Sequence, residues 1–197
     1  MDQRHKQIAL FKTDVLPDGF RYQPDLISVE EEEVLLGDLR RQPFKEFLFQ
    51  GFVGKRRVVS YGWSYDFNQR ALTPAEDIPG FLLPLREQAA AFAGLLPDQL
   101  RQVLLTEYDA GASIGWHRDK KVFGDVLGIS LLSSCRFRFR RKAGSSWQRI
   151  SLTAEPRSVY LLRGPSRTEW EHSIPAVNTL RYSITFRTLD SRSLRAE

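Results

Sequence analysis

Cysteine, methionine and histidine are scarce in this chain. Its 197 residues include one cysteine, Cys135, one methionine and three histidines. A single cysteine excludes an internal disulfide framework and any zinc site built from several thiolates. We therefore expect a protein of the reducing cytoplasm. Because histidine is so rare here, the positions of the imidazoles are informative.

Long apolar runs are also missing. Each run is interrupted well before the roughly 20 residues that a membrane helix needs, so we expect no membrane partner. The N-terminal segment from Met1 to Lys6 is polar, and no long apolar stretch follows it, so no secretory signal is expected. At about 150 residues per domain, the sequence predicts a single domain over residues 1–197. We expect this domain to be a monomer.

Acidic residues are nearly absent from one part of the chain. The net charge is +5, from 29 Lys and Arg against 24 Asp and Glu, but between Arg136 and Arg167 nine bases face a single acid, Glu155. Such a basic segment suits an anionic partner, nucleic acid first. The alternative is a solvated face that binds nothing. For one alternating set we favour the solvated face: Arg136, Arg138, Arg140 and Lys142.

Two segments of the first half are typical of helices. Ser28 and Glu31 form a capping-box pattern, and Val34, Leu35 and Leu39 would give the following helix its buried stripe. A second helix is predicted from near Pro84 to about Gly94, because proline favours the first turn and glycine the end.

Most of the remaining chain shows strand patterning. Arginines alternate with Phe137 and Phe139, and a run of alternating apolar and polar residues extends from Leu180 to Arg187. Period-two alternation separated by turn residues predicts antiparallel sheets with two different faces. The order of elements predicts a mainly β (α+β) fold with helices packed outside a β-sandwich or barrel.

The two histidines beyond the N-terminus suggest a metal site. His117 and Asp119 are two residues apart, so on an extended chain their side chains project to the same side. Together with the distant His172 they would form a facial triad, which leaves open positions on Fe(II) for a cosubstrate and O2. A His-x-Asp triplet is common by chance, however, and a lone histidine is often structural.

The C-terminal strand pattern offers a site for a dicarboxylate. Arg181, Ser183, Thr185 and Arg187 share one face, opposite an apolar one. The planar guanidinium fork binds a carboxylate through two parallel hydrogen bonds. An exposed sheet face would show the same alternation. Six residues of strand also separate the two arginines by roughly 20 Å, so both reach one small ligand only if the strand coils.

From about Arg57 to Arg187 the sequence resembles the AlkB-like Fe(II)- and 2-oxoglutarate-dependent dioxygenases. The motifs follow the order found in that family. They are RVVSYGWSY from Arg57, EYDAG from Glu107, His117-Arg118-Asp119, Ser130-Leu131, FRFR from Phe137, EHSIP from Glu171 and RYSITFR from Arg181.

This resemblance implies a double-stranded β-helix, or jelly-roll, over about residues 100–189. Residues of about 11–60 would form an N-terminal extension with supporting helices, and about 61–76 a substrate lid. His117, Asp119 and His172 would hold the iron. Cosubstrate contacts are assigned by the same resemblance, with Arg181 and Tyr108 on the distal carboxylate of 2-oxoglutarate. Ser183 stands where many members have asparagine but keeps a hydroxyl, and Arg187 would sit near the metal end of the cosubstrate or the substrate.

The activity implied is oxidative demethylation of N-alkylated bases in DNA or RNA, acting on a single-stranded or flipped base. Trp63 and Tyr65 are candidates for stacking on that base, although Tyr61, Trp63, Tyr65 and Phe67 alternate and could all be core. Of these we expect Tyr61 and Phe67 to be core.

Lys121 leaves the substrate open. It stands where bacterial repair enzymes tend to carry an acid, and a lysine cannot accept a hydrogen bond from a base, although it could meet a phosphate. A protein or small-molecule substrate is therefore an alternative. A non-catalytic β-sandwich that binds nucleic acid is a further one.

Overall fold

The computed structural model describes residues 16–49, 52–66, 69 and 71–190. Phe67 and the part of the predicted extension before residue 16 lie outside this range. The strands are β1 Phe20–Gln23, β2 Lys45–Phe49, β3 Phe52–Tyr61, β4 Trp63–Asp66, β5 Ala71–Pro74, β6 Gln102–Tyr108, β7 Ile114–His117, β8 Phe123–Leu131, β9 Cys135–Ala143, β10 Ser146–Ala154, β11 Val159–Leu162, β12 Glu171–Ile174 and β13 Arg181–Leu189. The helices are α1 Val29–Leu39, α2 Leu83–Ala93 and α3 Pro165–Thr168, with 3-10 turns at Gly80–Leu82 and Pro97–Gln99.

Two antiparallel sheets form the body of the fold. The larger has the strand order β1-β11-β8-β13-β6-β3-β2, and the smaller has the order β10-β9-β12-β7. Strands β6 to β13 alternate between these sheets except at the β9–β10 hairpin, whose two strands both lie in the smaller sheet. This is the pattern of a jelly-roll and confirms the predicted fold class. One apolar cluster packs the helices against the large sheet, and a second fills the space between the sheets. The site described below lies between the sheets.

Helix α1 begins as its sequence predicts. The Ser28 hydroxyl accepts from the Glu31 amide at 3.1 Å, and the Glu31 carboxylate accepts from the Ser28 amide at 2.7 Å. The predicted buried stripe is wrong at one position, because Val34 is 69% exposed. Leu35 and Leu39 are buried as predicted, and Leu36 is buried in place of Val34, since positions one and four residues apart cover a broad helix face.

Helix α2 is as long as α1, with 11 residues, whereas α3 has only four. Helix α2 spans Leu83–Ala93 and is capped by Gly94, whose φ of 67° is the left-handed conformation that suits glycine at a helix end. The prediction for this helix is confirmed. The helix patterns in the sequence did not indicate α3, which lies in the second half of the chain between β11 and β12. None of the described helices is long and apolar enough to cross a membrane.

The aromatic alternation around residue 62 is interrupted by a turn. Gly62 has a φ of 73°, and a Cβ there would lie 2.1 Å from the Arg101 carbonyl oxygen. The chain therefore leaves β3 after Tyr61 and enters the small hairpin of β4 and β5 at Trp63. Tyr61 is core as predicted, at 4% exposure, whereas Trp63 is only partly buried.

Candidate metal and cosubstrate site

Pairing within the small sheet brings the two distant histidines together. His117 on β7 lies opposite His172 on β12, and their ring centroids are 4.3 Å apart. Asp119 follows two residues after His117. The ligand atoms of these three residues all lie within 4.8 Å of one another.

The hydrogen bonding and the burial of the two imidazoles leave both of them able to bind a metal ion. Nδ1 of His117 lies 2.9 Å from the Gly115 carbonyl oxygen. Because a carbonyl only accepts, Nδ1 carries the proton in the neutral ring and Nε2 keeps a lone pair. Burial, together with the neighbouring His117, lowers the pKa of His172 to about 3, against the opposing influence of Asp119. His172 is therefore neutral near pH 7, the form that binds metals.

Asp119 presents one unused oxygen to the same point. Burial raises the pKa of its carboxyl, but the cationic Arg187 outweighs this and holds the pKa well below its usual range. Oδ1 accepts from Arg187, while Oδ2 is buried without a hydrogen bond and lies 3.5 Å from Nε2 of His172. Because that imidazole is neutral, the contact is not an ion pair. It juxtaposes an anionic oxygen and an imidazole nitrogen, which suits a divalent cation.

Arg187 fixes the orientation of Asp119 from the end of β13. Its Nε and Nη2 lie 3.2 and 3.0 Å from Oδ1 of Asp119, and its Nη1 donates to Oε1 of Gln102 at 2.9 Å. Gln102 pairs with Arg187 in the β6–β13 register. No local pattern in the sequence indicated this role for Gln102.

Arg181 lies at the other end of β13 and has donors to spare. The residue is fully buried, with its Nε donating to the Ser130 hydroxyl at 3.1 Å and its guanidinium 4.9 Å from the centre of the Tyr108 ring. Nη1 and Nη2 are buried and have no hydrogen-bond partner. A buried guanidinium with two open donors is costly unless an anion meets it, and a carboxylate matches its geometry.

The cavity between the sheets contains the His-Asp-His cluster together with other polar side chains. His117, Asp119, His172 and Arg187 line it, together with the polar side chains of Thr106, Tyr108, Tyr160, Ser173, Ser183 and Thr185. Aliphatic residues and Phe137 form much of the remaining wall. The predicted cosubstrate residues Tyr108 and Ser183 thus face the same cavity as the histidine and aspartate cluster.

Tyr160 is a cavity residue that the sequence did not reveal. Its ring lies over Gly128, where a Cβ would come within 2.1 Å of the ring carbon Cζ. Burial raises the pKa of the Tyr160 phenol, with Tyr108 adding to the effect, so the group stays a protonated donor. The glycine between two apolar residues of β8 was its one sequence signal.

The three predicted substrate residues lie outside the cavity lining. Trp63 and Tyr65 are on the β4–β5 hairpin, the first with its ring 5.7 Å from the Arg101 guanidinium. The Tyr65 ring lies 5.4 Å from Nζ of Lys120, in the loop just after Asp119. Lys121 is exposed in that loop. Lys120, which sequence reasoning missed, therefore connects the hairpin to the loop that follows Asp119.

A second missed residue shapes the same loop. Arg167 is buried on α3 and donates to the backbone carbonyls of Lys120, Phe123 and Gly124 at 2.6, 2.9 and 3.1 Å. These bonds hold the segment that follows Asp119. Nothing in the local sequence distinguishes Arg167 from the other arginines.

The chain belongs to the 2OG-Fe(II) oxygenase superfamily, whose family model matches residues 28–187. Members use Fe(II), 2-oxoglutarate and O2, and the His-Asp-His cluster suits that iron. One relative is the "Alkylated DNA repair protein ALKBH8 homolog" of Arabidopsis thaliana, 27% identical over 85% of this chain and 54% of the relative. Another is the Macaca fascicularis "tRNA (carboxymethyluridine(34)-5-O)-methyltransferase ALKBH8", 24% identical over 83% of this chain and 25% of the relative. The chain thus spans about half of the first relative's length and about a quarter of the second's.

Solved structures show the same fold. "The structure of OsALKBH1" matches with a TM-score of 0.65 and 15% identity, over 88% of this chain and 98% of that one. A prolyl-4-hydroxylase from Pseudomonas putida matches with a TM-score of 0.58 and 14% identity, over 88% and 94%. With the relatives above, these similarities support the AlkB-like assignment made from the sequence motifs.

Proposed function

We propose that this protein is an Fe(II)- and 2-oxoglutarate-dependent dioxygenase that removes N-methyl groups from bases of DNA or RNA. One observation carries the proposal. A partly buried His-Asp-His cluster with an unused carboxylate oxygen lines the same cavity as Tyr108. The Tyr108 ring lies 4.9 Å from the guanidinium of Arg181, a buried arginine with two unused donors. The names of the two relatives, which refer to alkylated DNA and to tRNA, support a nucleic-acid substrate.

The residues of this site fit both an iron ion and 2-oxoglutarate. His117, Asp119 and His172 would hold the iron, and three protein ligands leave positions open for cosubstrate and O2. Arg181 would receive the distal carboxylate of 2-oxoglutarate on Nη1 and Nη2, with Tyr108 and Ser183 beside it. When bound, the metal and its cosubstrates supply the oxidising power that inserts oxygen into a C–H bond of the substrate.

The chain itself supplies orientation, charge and exclusion of water. Arg187 keeps Asp119 ionised and fixes its position. Ser130 holds Nε of Arg181, so that the other two nitrogens face a ligand. The aliphatic wall and Phe137 would limit the water beside these groups, which strengthens each of these polar interactions.

The balanced reaction consumes one O2 and one 2-oxoglutarate for each methyl group. It yields succinate, CO2 and formaldehyde, and the base nitrogen recovers a hydrogen in place of its methyl group. The hairpin residues Trp63 and Tyr65 would stack on the base, while Lys120 and Lys121 would meet its phosphates. Stacking of this kind contributes roughly 1–3 kcal/mol per base.

The test compares succinate and formaldehyde release with two oligonucleotides of one sequence, N-methylated and unmethylated. The proposal expects both products only with the methylated strand. Replacing the lid aromatic, Tyr65→Ala, should raise the half-saturating oligonucleotide concentration about fivefold or more. Thr73→Ala, which removes a hydroxyl from the same hairpin, is the matched control and should change little.

Equal turnover with and without the methyl group would contradict demethylation. In that case hydroxylation of a protein or a small molecule would become the better explanation for the same metal and cosubstrate residues.

A further inference from the structure

The outer face of the small sheet is strongly basic. On β9 the side chains of Phe137 and Phe139 enter the core, so the alternating cations of that strand point away from it. The adjacent strand β10 adds Arg149 opposite Arg140, and Trp147 opposite Lys142. We call this set the basic sheet face, and it consists of Arg136, Arg138, Arg140, Lys142, Trp147 and Arg149.

Acidic residues do little to neutralise this face. Glu171 binds Arg140 at 2.6 Å. Within the described part of the chain, Arg136 and Arg138 bond only to the hydroxyls of Ser151 and Ser173, and Lys142 and Arg149 form no ion pair. Arg140 and Arg149 are also direct cross-strand partners, and like charges in that position destabilise a sheet. An anionic ligand would relieve this repulsion.

Tryptophan rings hold the cations in place. The Arg140 guanidinium lies 4.6 Å from the Trp116 ring and 4.3 Å from the Trp147 ring, and Nζ of Lys142 lies 5.3 Å from the latter. Such contacts order long side chains before any ligand arrives. Basic groups interleaved with aromatic rings are the combination that single-stranded nucleic acids require, for phosphates and bases respectively.

The same face lacks what a membrane surface would need. The large apolar side chains that are exposed in the described residues lie elsewhere, at Leu16, Val29, Val34, Leu83, Leu96 and Leu132. With no aliphatic group to insert, the face would bind a bilayer by charge alone. The partly buried rings of Trp116 and Trp147 instead favour a partner with stacking bases.

We propose that the basic sheet face binds single-stranded nucleic acid, outside the cavity. The nucleic-acid partner rests on the proposed function, but binding at this face requires no catalysis. Its position suits a nucleic-acid strand that also reaches the cavity, because Trp116, whose ring lies beside Arg140, is the chain neighbour of His117, which lines the cavity. The proposal departs from the sequence-based preference for a solvated face, because the Trp116 ring beside Arg140 comes from β7, a strand that is not adjacent to β9 in the sequence.

The test measures fluorescence anisotropy of a labelled, unmethylated single-stranded oligonucleotide over a series of salt concentrations. One variant combines Arg136→Gln, Lys142→Gln and Arg149→Gln, which are exposed and leave the core untouched. The control combines Arg40→Gln, Arg41→Gln and Lys45→Gln, equal in charge and also exposed. Each phosphate contact contributes about 0.7 to the steepness of the slope of log K against log salt. The steepness of this slope should therefore fall by roughly two in the first variant.

At 0.1 M salt that variant should bind roughly ten- to a hundredfold more weakly than the parent, and the control should not. Equal losses in both variants, or no binding by the parent, would overturn the proposal. So would undiminished capture by phosphatidylserine vesicles in the presence of saturating oligonucleotide. Turnover of an N-methylated nucleoside reports on the cavity alone, so failure of the sheet face and failure of demethylation are told apart.

Discussion

The two ends of strand β13 use the same residue type in opposite ways. At one end every donor group of Arg187 that is described has a partner, in Asp119 and Gln102. At the other end Arg181 is more deeply buried, yet only its Nε is bonded. The closed end stabilises and orients a carboxylate of the chain itself. We propose that the open end receives a carboxylate from outside the chain.

The largest effect is expected at the carboxylate that the closed end serves. Asp119→Asn replaces the anionic ligand with a neutral amide, so the protein should lose stoichiometric Fe(II) binding under anaerobic conditions. The matched control is Asp125→Asn, since Asp125 also pairs with an arginine but lies outside the metal cluster. Metal analysis after gel filtration measures both. Iron retained by Asp119→Asn would remove this residue from the site.

The closed end should also matter for folding. Arg187→Met leaves Asp119 buried without its cation, and breaking such a pair typically costs about 3–5 kcal/mol. Arg163 also pairs with an aspartate, but its side chain is 40% exposed, so Arg163→Met should cost only about 0–1 kcal/mol. Urea unfolding of the metal-free proteins gives both values. Similar losses of unfolding free energy in the two variants would contradict a particular stabilising role for the Arg187–Asp119 pair.

Arg181, at the open end, should matter for ligand binding and not for folding stability. Arg181→Met removes a buried group with unused donors, so the free energy of unfolding without ligand should stay the same or rise. The dissociation constant for 2-oxoglutarate should increase by about ten- to a hundredfold, since hydrogen bonds to charged groups are worth about 1.5–3 kcal/mol. Calorimetric titration of the anaerobic iron-loaded protein measures this. Destabilisation as large as that of Arg187→Met would make Arg181 a structural residue.

A smaller effect is expected at Ser130, which orients the open end. Ser130→Ala removes the acceptor of Nε and should weaken 2-oxoglutarate binding about fivefold, the equivalent of one neutral hydrogen bond of about 1 kcal/mol. Ser151→Ala is the control, because that hydroxyl accepts from Arg136 on the outer face. If the two variants bound the cosubstrate equally well, the alignment of Arg181 would have to come from Tyr108 alone.

Local sequence predicted the features that depend on neighbouring residues. The capping box of α1, the ends of α2 and the shared side of His117 and Asp119 all follow from spacings of two to four residues. The wrong assignments arose where a short pattern was ambiguous. Val34 fits one helix face as well as its neighbour Leu35, and the alternation around Gly62 looks like a strand until the turn is seen.

Features that depend on sheet pairing could not be read from the pattern. The meeting of His172 with His117 requires the β7–β12 register, and the pairing of Arg187 with Asp119 joins the large sheet to the loop after β7. The family resemblance indicated both partners of each pair without giving their contacts. Ser130, Tyr160 and Arg167 carry no local signal, because their roles come from residues that lie 43 or more positions away or across a sheet.

The central claim is that three side chains and one arginine form a single iron and 2-oxoglutarate site. The most direct measurement adds 2-oxoglutarate to the anaerobic Fe(II)-loaded protein and follows its weak visible charge-transfer band. We predict one equivalent of iron, a band that saturates with cosubstrate, and loss of the band in His117→Ala. A protein without stoichiometric iron, or a band that survives His117→Ala unchanged, would contradict the account and favour a non-catalytic β-sandwich.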